Sequence, residues 1–235
     1  GKGPLQVTGT LDSQKVHLMY ELGEASAFSW KLVVTYDDTR AKEIYDDLRS
    51  FTSRVWLYPA KDLLFYSADI HGNLMARQRI AVLRRLMEDR EGVVVTTMDG
   101  LMDHLLPLKY LREQSITVES GQVIDLDVWK ERLIAMGYER VAQVDGMGQF
   151  SIRGGIVDIF PLTEEVPVRI ELWDDEVDSI RTFDLESQRS VEQLDFVTIY
   201  PAAEVVLDKN QLETGTSRLE KEAKTYGKAL REQHK

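Results

Sequence analysis

The sequence predicts an α/β fold in which a parallel-sheet domain precedes a smaller α+β domain with an antiparallel sheet. Three observations support this class. Up to about residue 107, β-rich and helix-like stretches alternate, which is typical of parallel strands joined by covering helices. From about residue 148, several β-rich runs follow one another across short turns, as antiparallel strands do. The length of 235 residues also suits two domains of roughly 100–200 residues each.

The composition is typical of a water-soluble globular protein, with 43% hydrophobic and 29% charged residues. No apolar run approaches the roughly 18 residues needed to span a bilayer, and the N-terminus has no secretory signal pattern. Cysteine is absent and the four histidines are scattered, so disulfides and thiolate metal sites are excluded and no metal site is predicted. The first residue is glycine rather than methionine, from which we expect a trimmed N-terminus.

The net charge of −11 is concentrated in the middle of the chain. Residues 116–200 carry 18 acidic and 7 basic side chains, whereas the rest of the chain carries 22 of each. A DNA-binding surface should be basic, because contacts to phosphates supply most of the affinity. The central segment is therefore a poor candidate for DNA binding and a suitable partner for a basic protein surface. Solubility alone would also explain this charge, and charge alone favours that simpler explanation.

The first candidate site is the loop GTLDSQKV, which follows a short candidate strand at residues 5–7. It has the frame of a phosphate-binding loop, G-x-x-x-x-G-K-[ST], with Gly9 and Lys15 in register. Gln14 replaces the glycine that lets such a loop wrap a phosphate, and Val16 replaces the hydroxyl that holds Mg²⁺. The sequence therefore predicts a P-loop-like domain with a degenerate loop that binds no nucleotide cofactor.

The other elements of the first domain follow from hydrophobic periodicity and turn residues. The sequence predicts buried strands at 31–36, 55–58 and 93–97, helices at 38–51 and 74–90, and a helix or turn up to residue 106. Residues 59–73 should form an irregular, packed loop in which Phe65 and Tyr66 belong to the core.

The helix predicted at residues 74–90 has an apolar side and a basic side. Four arginines lie mostly away from the apolar side: Arg77, Arg84, Arg85 and Arg90. This arrangement fits either a patch for nucleic acid or a solvated helix face, and the solvated face is favoured.

Around residues 108–121 the pattern changes to an antiparallel one, which we interpret as the domain boundary. A helix follows, with Asp125 or Asp127 as its N-cap and Gly137 as its C-terminal stop. The spacing of its apolar residues places Trp129 in the core.

After a β-rich run at residues 196–200, the chain becomes helical and charged over residues 212–233. We expect this last part to begin a further, incomplete domain. The predicted domains are therefore a nucleotide-binding-like domain, a docking domain and a helical start, at residues 1–112, 113–200 and 201–235.

The stretch from residue 148 to 184 is the most informative about function. A Gly154-Gly155 pair joins two β-rich runs and allows a bulge or a close backbone approach. In the following run, VRIELW, alternation puts Arg169 and Trp173 on the same face of a strand, and we expect that face to be turned toward solvent. Tryptophan beside arginine is typical of binding hot spots. An arginine stacked on an exposed tryptophan without a partner is the simpler alternative, which this pattern alone favours.

The motif GQFSIRGGIVDIFP, followed by VRIELWDDEVDSIRTFD, resembles the second domain of a module shared by bacterial transcription-repair coupling factors and the excinuclease protein UvrB. The resemblance extends from the first glycine-rich turn to about Pro201. In that family this domain docks onto the excinuclease protein UvrA, and the matching positions imply a partner site of Arg153, Arg169 and Trp173. The family often has phenylalanine at the last position, so an aromatic anchor is kept.

The resemblance also implies what the whole protein does. A coupling factor is an ATP-driven DNA translocase of the bacterial cytoplasm that displaces stalled RNA polymerase, with its motor outside this chain. The present chain would be a docking module without enzymatic activity that recruits UvrA. In the intact protein, a C-terminal domain would mask its docking face.

An alternative is an ATP-binding, damage-binding fragment of a UvrB-type helicase. UvrB has an intact phosphate-binding loop, whereas the loop at Gly9 is degenerate as in coupling factors. UvrB also carries a long tyrosine-rich hairpin that inserts at damaged DNA. At the corresponding place this chain has only Phe65 and Tyr66. A third alternative is a DNA-binding module that uses the helix at residues 74–90.

Overall fold

A computed structural model describes residues 3–61, 69–103, 105, 107–204 and 209–233. It contains a three-stranded parallel sheet, a six-stranded sheet and a two-stranded antiparallel sheet. The predicted mixed α/β class, with a parallel sheet followed by antiparallel strands, is confirmed. None of the helices within these ranges combines the length and the apolar character that a membrane crossing requires.

The parallel sheet has the strand order β1-β3-β2. Its strands are β1 (Trp30–Thr35), β2 (Val55–Tyr58) and β3 (Gly92–Thr97). The helices of the described residues that accompany it are α1 (Asp12–Glu24), α2 (Asp38–Leu48), α3 (Asp69–Glu88), α4 (Met98–Met102) and α5 (Leu108–Gln114). Side chains of α1 and α2 pack on one face and those of α3 and α5 on the other, which explains the valine-rich strands.

Several predicted elements of this part differ from the observed ones. Residues 5–7 do not form the predicted strand. They pair with no described strand, and their side chains are exposed to solvent. α3 begins at Asp69, so residues 69–73 are helical rather than loop. α5 was not predicted: Pro107 starts a helix here rather than ending one, and Leu111 anchors it in the core. Phe65 and Tyr66 lie outside the described residues.

The second half of the chain forms the two remaining sheets. Its elements are β4 (Ile116–Glu119), α6 (Leu126–Ala135), β5 (Glu139–Arg140), β6 (Gln149–Arg153), β7 (Ile156–Ile159), β8 (Val168–Trp173), β9 (Glu176–Phe183), β10 (Ser190–Leu194), β11 (Phe196–Ile199) and α7 (Lys209–Gln233). The six-stranded sheet has the order β10-β9-β8-β7-β6-β5 and is antiparallel except between β5 and β6. β4 pairs with β11.

The inner face of the six-stranded sheet packs on α6 and on the β4–β11 pair. The carboxylate of Asp125 caps α6 by accepting hydrogen bonds from the backbone N–H groups of Asp127 and Val128, at 2.9 and 3.1 Å. Gly137 ends the helix region with a left-handed φ of +91°. Trp129 is buried in this core, which confirms its predicted place.

α3 lies between the parallel sheet and the second half of the chain. Ile80 packs against Leu162 and Tyr200. Arg84 donates a hydrogen bond to Glu164 at 2.8 Å, and the Tyr200 hydroxyl donates to Glu88 at 2.6 Å. The interpretation of this helix as a solvated face is therefore wrong for Arg84, because its partner comes from a distant part of the chain. Arg85 and Arg90 do lie exposed.

Arg79 is a fully buried cation in the same helix. It forms an ion pair with Glu204 and donates hydrogen bonds to Asp103 and to the Pro59 carbonyl at 2.8 and 2.6 Å. Its guanidinium also lies over the Tyr58 ring, 4.2 Å from the centroid. A buried charge is tolerated only with such partners. The cluster therefore ties the segment after β11 to the ends of β2 and α4.

Replacing Arg79 by methionine (R79M) should lower the free energy of unfolding by about 3 kcal/mol, because Asp103 loses its cationic partner and the buried Glu204 keeps only Lys61. Urea denaturation measures this change. Arg85 offers a matched control, since its side chain is 47% exposed and lies 3.9 Å from Asp89. The R85M variant should stay within about 0.5 kcal/mol of wild type. Equal effects of the two substitutions would contradict the role of the buried cluster.

Candidate protein-docking site

The predicted partner-binding residues lie on the outer face of the six-stranded sheet, opposite the core. Val168 and Ile170 of β8 point into the core, and Arg169 and Trp173 lie on the other face. The Trp173 side chain is 82% exposed, which confirms the predicted contrast with the buried Trp129. Exposure alone does not distinguish Trp173, since Phe28 is 78% exposed; the arginines on the same face do, because tryptophan and arginine are enriched at binding hot spots.

Trp173 occupies the last position of β8, beside a tight turn. It pairs with Glu176 of β9, so Asp174 and Asp175 alone form the turn. Asp174 has a φ of +59°, in the left-handed region that aspartate tolerates better than most residues. The hairpin therefore presents the indole from a defined backbone position rather than from a long loop.

One buried carboxylate joins the two predicted arginines. Asp158 of β7 is 1% exposed and lies directly opposite Arg169 in the sheet register. The Arg169 Nε and Nη2 groups donate to its Oδ1 and Oδ2 at 2.6 and 2.9 Å. Arg153 Nη2 donates to the same Oδ2 at 2.7 Å. Bidentate, charge-assisted bonds of this kind are strong and directional.

Arg169 lies deeper than the sequence predicts. Only 14% of its side chain is exposed, its guanidinium is 4.7 Å from the Phe183 ring centroid, and Nη1 donates to the Gln188 carbonyl at 3.2 Å. The hydrogen bond to Asp158 raises the pKa of Arg169 above its ordinary value, although burial acts in the opposite direction. The expectation of a solvent-facing Arg169 is thus wrong, because partners on neighbouring strands cover it. Arg153 stays 49% exposed.

The Gly154-Gly155 turn fixes the end of β8 next to Trp173. Gly154 has a φ of +60°, which favours glycine. A Cβ on Gly155 would lie 2.9 Å from the Leu172 carbonyl oxygen, and the Leu172 N–H donates to the Gly155 carbonyl at 2.7 Å. The predicted close backbone approach is confirmed, and it explains why the motif needs two glycines.

An acidic rim surrounds the exposed indole. Asp174, Asp175 and Glu176 are all exposed, and Glu176 forms a β-bridge with the exposed Val123 of the segment before α6. The outer face therefore combines an exposed tryptophan, the partly exposed side chains of Arg153 and Arg181, and several carboxylates. Such a surface is complementary to a protein surface with an apolar pocket and basic residues.

Sequence reasoning missed two residues of this face. Asp158 is the lone acid in the apolar run IVDIF, a signal that a buried partner was needed. Arg181 of β9 lies opposite Arg169, is partly exposed and is 3.9 Å from Glu171. The register of β9 shifts between residues 177 and 179, so simple alternation could not place Arg181 on this face.

The second candidate site, the loop at Gly9, uses its atypical residues internally. The Gln14 side chain accepts a hydrogen bond from the Leu11 N–H at 3.2 Å, at the start of α1. Lys15 pairs with Asp12 at 2.9 Å, and this hydrogen bond lowers the pKa of Asp12. Val16 is buried between α1, α2 and the parallel sheet. α1 thus begins at Asp12, within the residues that would form the phosphate-binding loop in an intact motif.

The described residues contain no group of three or more histidine, aspartate or glutamate side chains with the geometry to hold a metal ion.

Comparison with known proteins gives consistent similarities. The family model of the UvrB interaction domain matches residues 116–204, a range that includes Arg153, Arg169 and Trp173. Over 227 residues, 96% of this chain, the sequence is 34% identical to the transcription-repair-coupling factor of Staphylococcus aureus strain MRSA252. Over 177 residues, 74% of the chain, it is 38% identical to the transcription-repair-coupling factor of Bacillus subtilis strain 168. The chain covers only 19% and 15% of the length of these two relatives.

Replacing Gly155 by alanine (G155A) should lower the free energy of unfolding by about 2 kcal/mol, because the added Cβ would meet the Leu172 carbonyl. Thermal or urea unfolding measures the effect. Gly146 is a suitable control, since a Cβ there would meet nothing closer than 3.8 Å. The G146A variant should change stability by less than about 0.5 kcal/mol. A G155A protein as stable as G146A would show that the turn is not packed against β8.

Proposed function

Because this chain is related over nearly its whole length to bacterial transcription-repair-coupling factors, and residues 116–204 belong to the UvrB interaction domain family, we propose that it is a protein-docking module. Its partner is the excinuclease protein UvrA, which such a factor recruits to stalled RNA polymerase in nucleotide excision repair. The chain acts by binding and has no ATPase activity of its own.

The observation that carries this proposal is the exposed indole of Trp173 on a well-anchored sheet face. Tryptophan and arginine are the residue types most enriched at binding hot spots. β8 lies between two paired strands and is held at its end by Gly155, so little ordering entropy is lost when a partner covers Trp173. Arg153 adds a half-exposed guanidinium on the same face.

The charges around Trp173 indicate the chemistry of the partner surface. Basic groups on UvrA would complement Asp174, Asp175 and Glu176. An acidic side chain on UvrA would accept hydrogen bonds from the exposed donors of Arg153. The indole needs an apolar pocket between them. Opposite charges at such a rim act mainly on the association rate, which should therefore fall with added salt.

The proposed domains are residues 1–112, 113–200 and 201–235. Separate hydrophobic cores support the first boundary: two clusters draw on residues 16–111, and the largest draws on residues 116–202. The first domain is P-loop-like with a degenerate loop, and it serves the docking domain as a scaffold through α3. Residues 201–235 begin a further domain.

The remaining activities belong to parts of the factor outside this chain, which covers under a fifth of its relatives' length. We assign contacts with RNA polymerase and DNA, and the ATP-driven motor, to those parts. A C-terminal domain of the intact factor masks the Trp173 face until recruitment is needed. The chain functions in the bacterial cytoplasm.

The alternative is an ATP-binding fragment of the UvrB type, and it requires a nucleotide at the loop of Gly9. The internal use of Gln14, Lys15 and Val16 argues against this alternative. A DNA-binding role for α3 would rest on the arginines that lie away from its apolar side, but Arg84 binds Glu164 of this chain and Arg85 lies 3.9 Å from Asp89.

The variants W173A and R153A should each bind UvrA at least about tenfold more weakly, because they remove an aromatic anchor and an exposed guanidinium. Isothermal titration or surface plasmon resonance with purified UvrA measures the loss. The thermal unfolding midpoint should stay near that of wild type, since both side chains are exposed.

Two substitutions outside the proposed surface serve as controls. Phe28 is an exposed aromatic before β1, and Arg90 is an exposed arginine after α3. F28A and R90A should bind within about twofold of wild type. If W173A and R153A bound as tightly as these controls, the site assignment would be wrong.

A fluorescent ATP analogue with Mg²⁺ should not bind the chain at micromolar concentration. The side chains that would contact phosphate and metal are engaged in α1 and the core. Fluorescence anisotropy measures this directly. Saturable, Mg²⁺-dependent binding that the K15A variant abolishes would favour the UvrB-type alternative instead.

A further inference from the structure

Arg153, Arg169 and Arg181 share the outer face of β6 to β9 with the carboxylates of Asp158, Glu171 and Glu176. Arg169 lies directly opposite Arg181, and like charges in opposed positions of a sheet repel each other. Asp158 faces Arg169 from the other side, on β7. Its buried carboxylate is therefore the group that permits this crowded set of cations.

The donors of Arg169 are largely used within the chain. Nε and Nη2 bind Asp158, Nη1 binds the Gln188 carbonyl, and the guanidinium plane lies over Phe183. Few donors remain for a partner, and little of the side chain reaches the surface. Arg153 differs, because one bond to Asp158 leaves most of its guanidinium donors available.

We propose that Asp158 is a positioning residue of the docking surface, which holds the Arg153 guanidinium in place by binding Arg153 and Arg169 together. This inference rests on the proposed function and adds to it a buried residue that places the most exposed of the arginines. Arg153 makes the contact, and the buried Asp158–Arg169 pair sets its position and direction.

The binding arm of the test uses UvrA and three variants. D158N keeps the shape of the side chain but removes its charge, and it should weaken binding about tenfold. R169K keeps the positive charge but loses the bidentate geometry, so it should weaken binding to a similar extent. The double variant D158N/R153A should bind no more weakly than R153A alone, because Asp158 acts only through Arg153.

V157A is the matched control for loss of stability. Val157 is buried on the inner face of β7, next to Asp158 in sequence, and its truncation should destabilise the fold without touching the outer face. At a temperature where all variants remain folded, V157A should bind within about twofold of wild type. Normal binding by D158N or R169K, or additive losses in D158N/R153A, would overturn the proposal.

The second arm needs no partner. NMR of the arginine side chains reports whether rotation of a guanidinium is hindered. In the wild type, the Arg153 and Arg169 Nη protons should give separate, slowly averaging signals, and in D158N the Arg153 signals should merge. Unhindered Arg153 in the wild type, or hindered Arg153 in D158N, would contradict the positioning role. If the wild-type chain did not bind UvrA, the proposed function would be wrong. The NMR measurement would still show whether Asp158 holds the Arg153 guanidinium in place.

Discussion

The pairing of β7, β8 and β9 is the constraint on which the rest of the proposed docking face depends. It places Asp158, Arg169 and Arg181 in one row across the sheet. Alternation along β8 sends Val168 and Ile170 into the core and Trp173 outward. A shift of the register by one residue would exchange these faces and put the arginine into the core. The same pairing therefore fixes both the stability of the sheet and the chemistry of its surface.

The first half of the chain contacts the second half through α3. One side of α3 covers the parallel sheet, and the other packs against residues after β7 and β11. Ion pairs of Arg79 and Arg84 with Glu204 and Glu164 make this contact directional rather than merely apolar. The part of the chain that contains the parallel sheet is thus joined to the second half by both apolar and charged contacts.

Local patterns predicted those features that depend on near neighbours in sequence. Period-2 alternation was sufficient for the exposed Trp173, and helical spacing for the buried Trp129. The depth of Arg169 could not be predicted in this way, because Asp158 and Phe183 approach it from other strands. Arg84 was misjudged for the same reason: its partner Glu164 is 80 residues away in sequence. The unpaired residues 5–7 have β propensity but no neighbouring strand with which to pair.

The central claim is that another protein covers the Trp173 face of the six-stranded sheet. Hydrogen–deuterium exchange of the unmodified chain, with and without saturating UvrA, tests it most directly. We expect slower exchange of backbone amides at residues 153–156 and 172–178, with residues 9–24 unchanged. Unchanged exchange in the first two segments, together with protection at residues 9–24, would contradict the account.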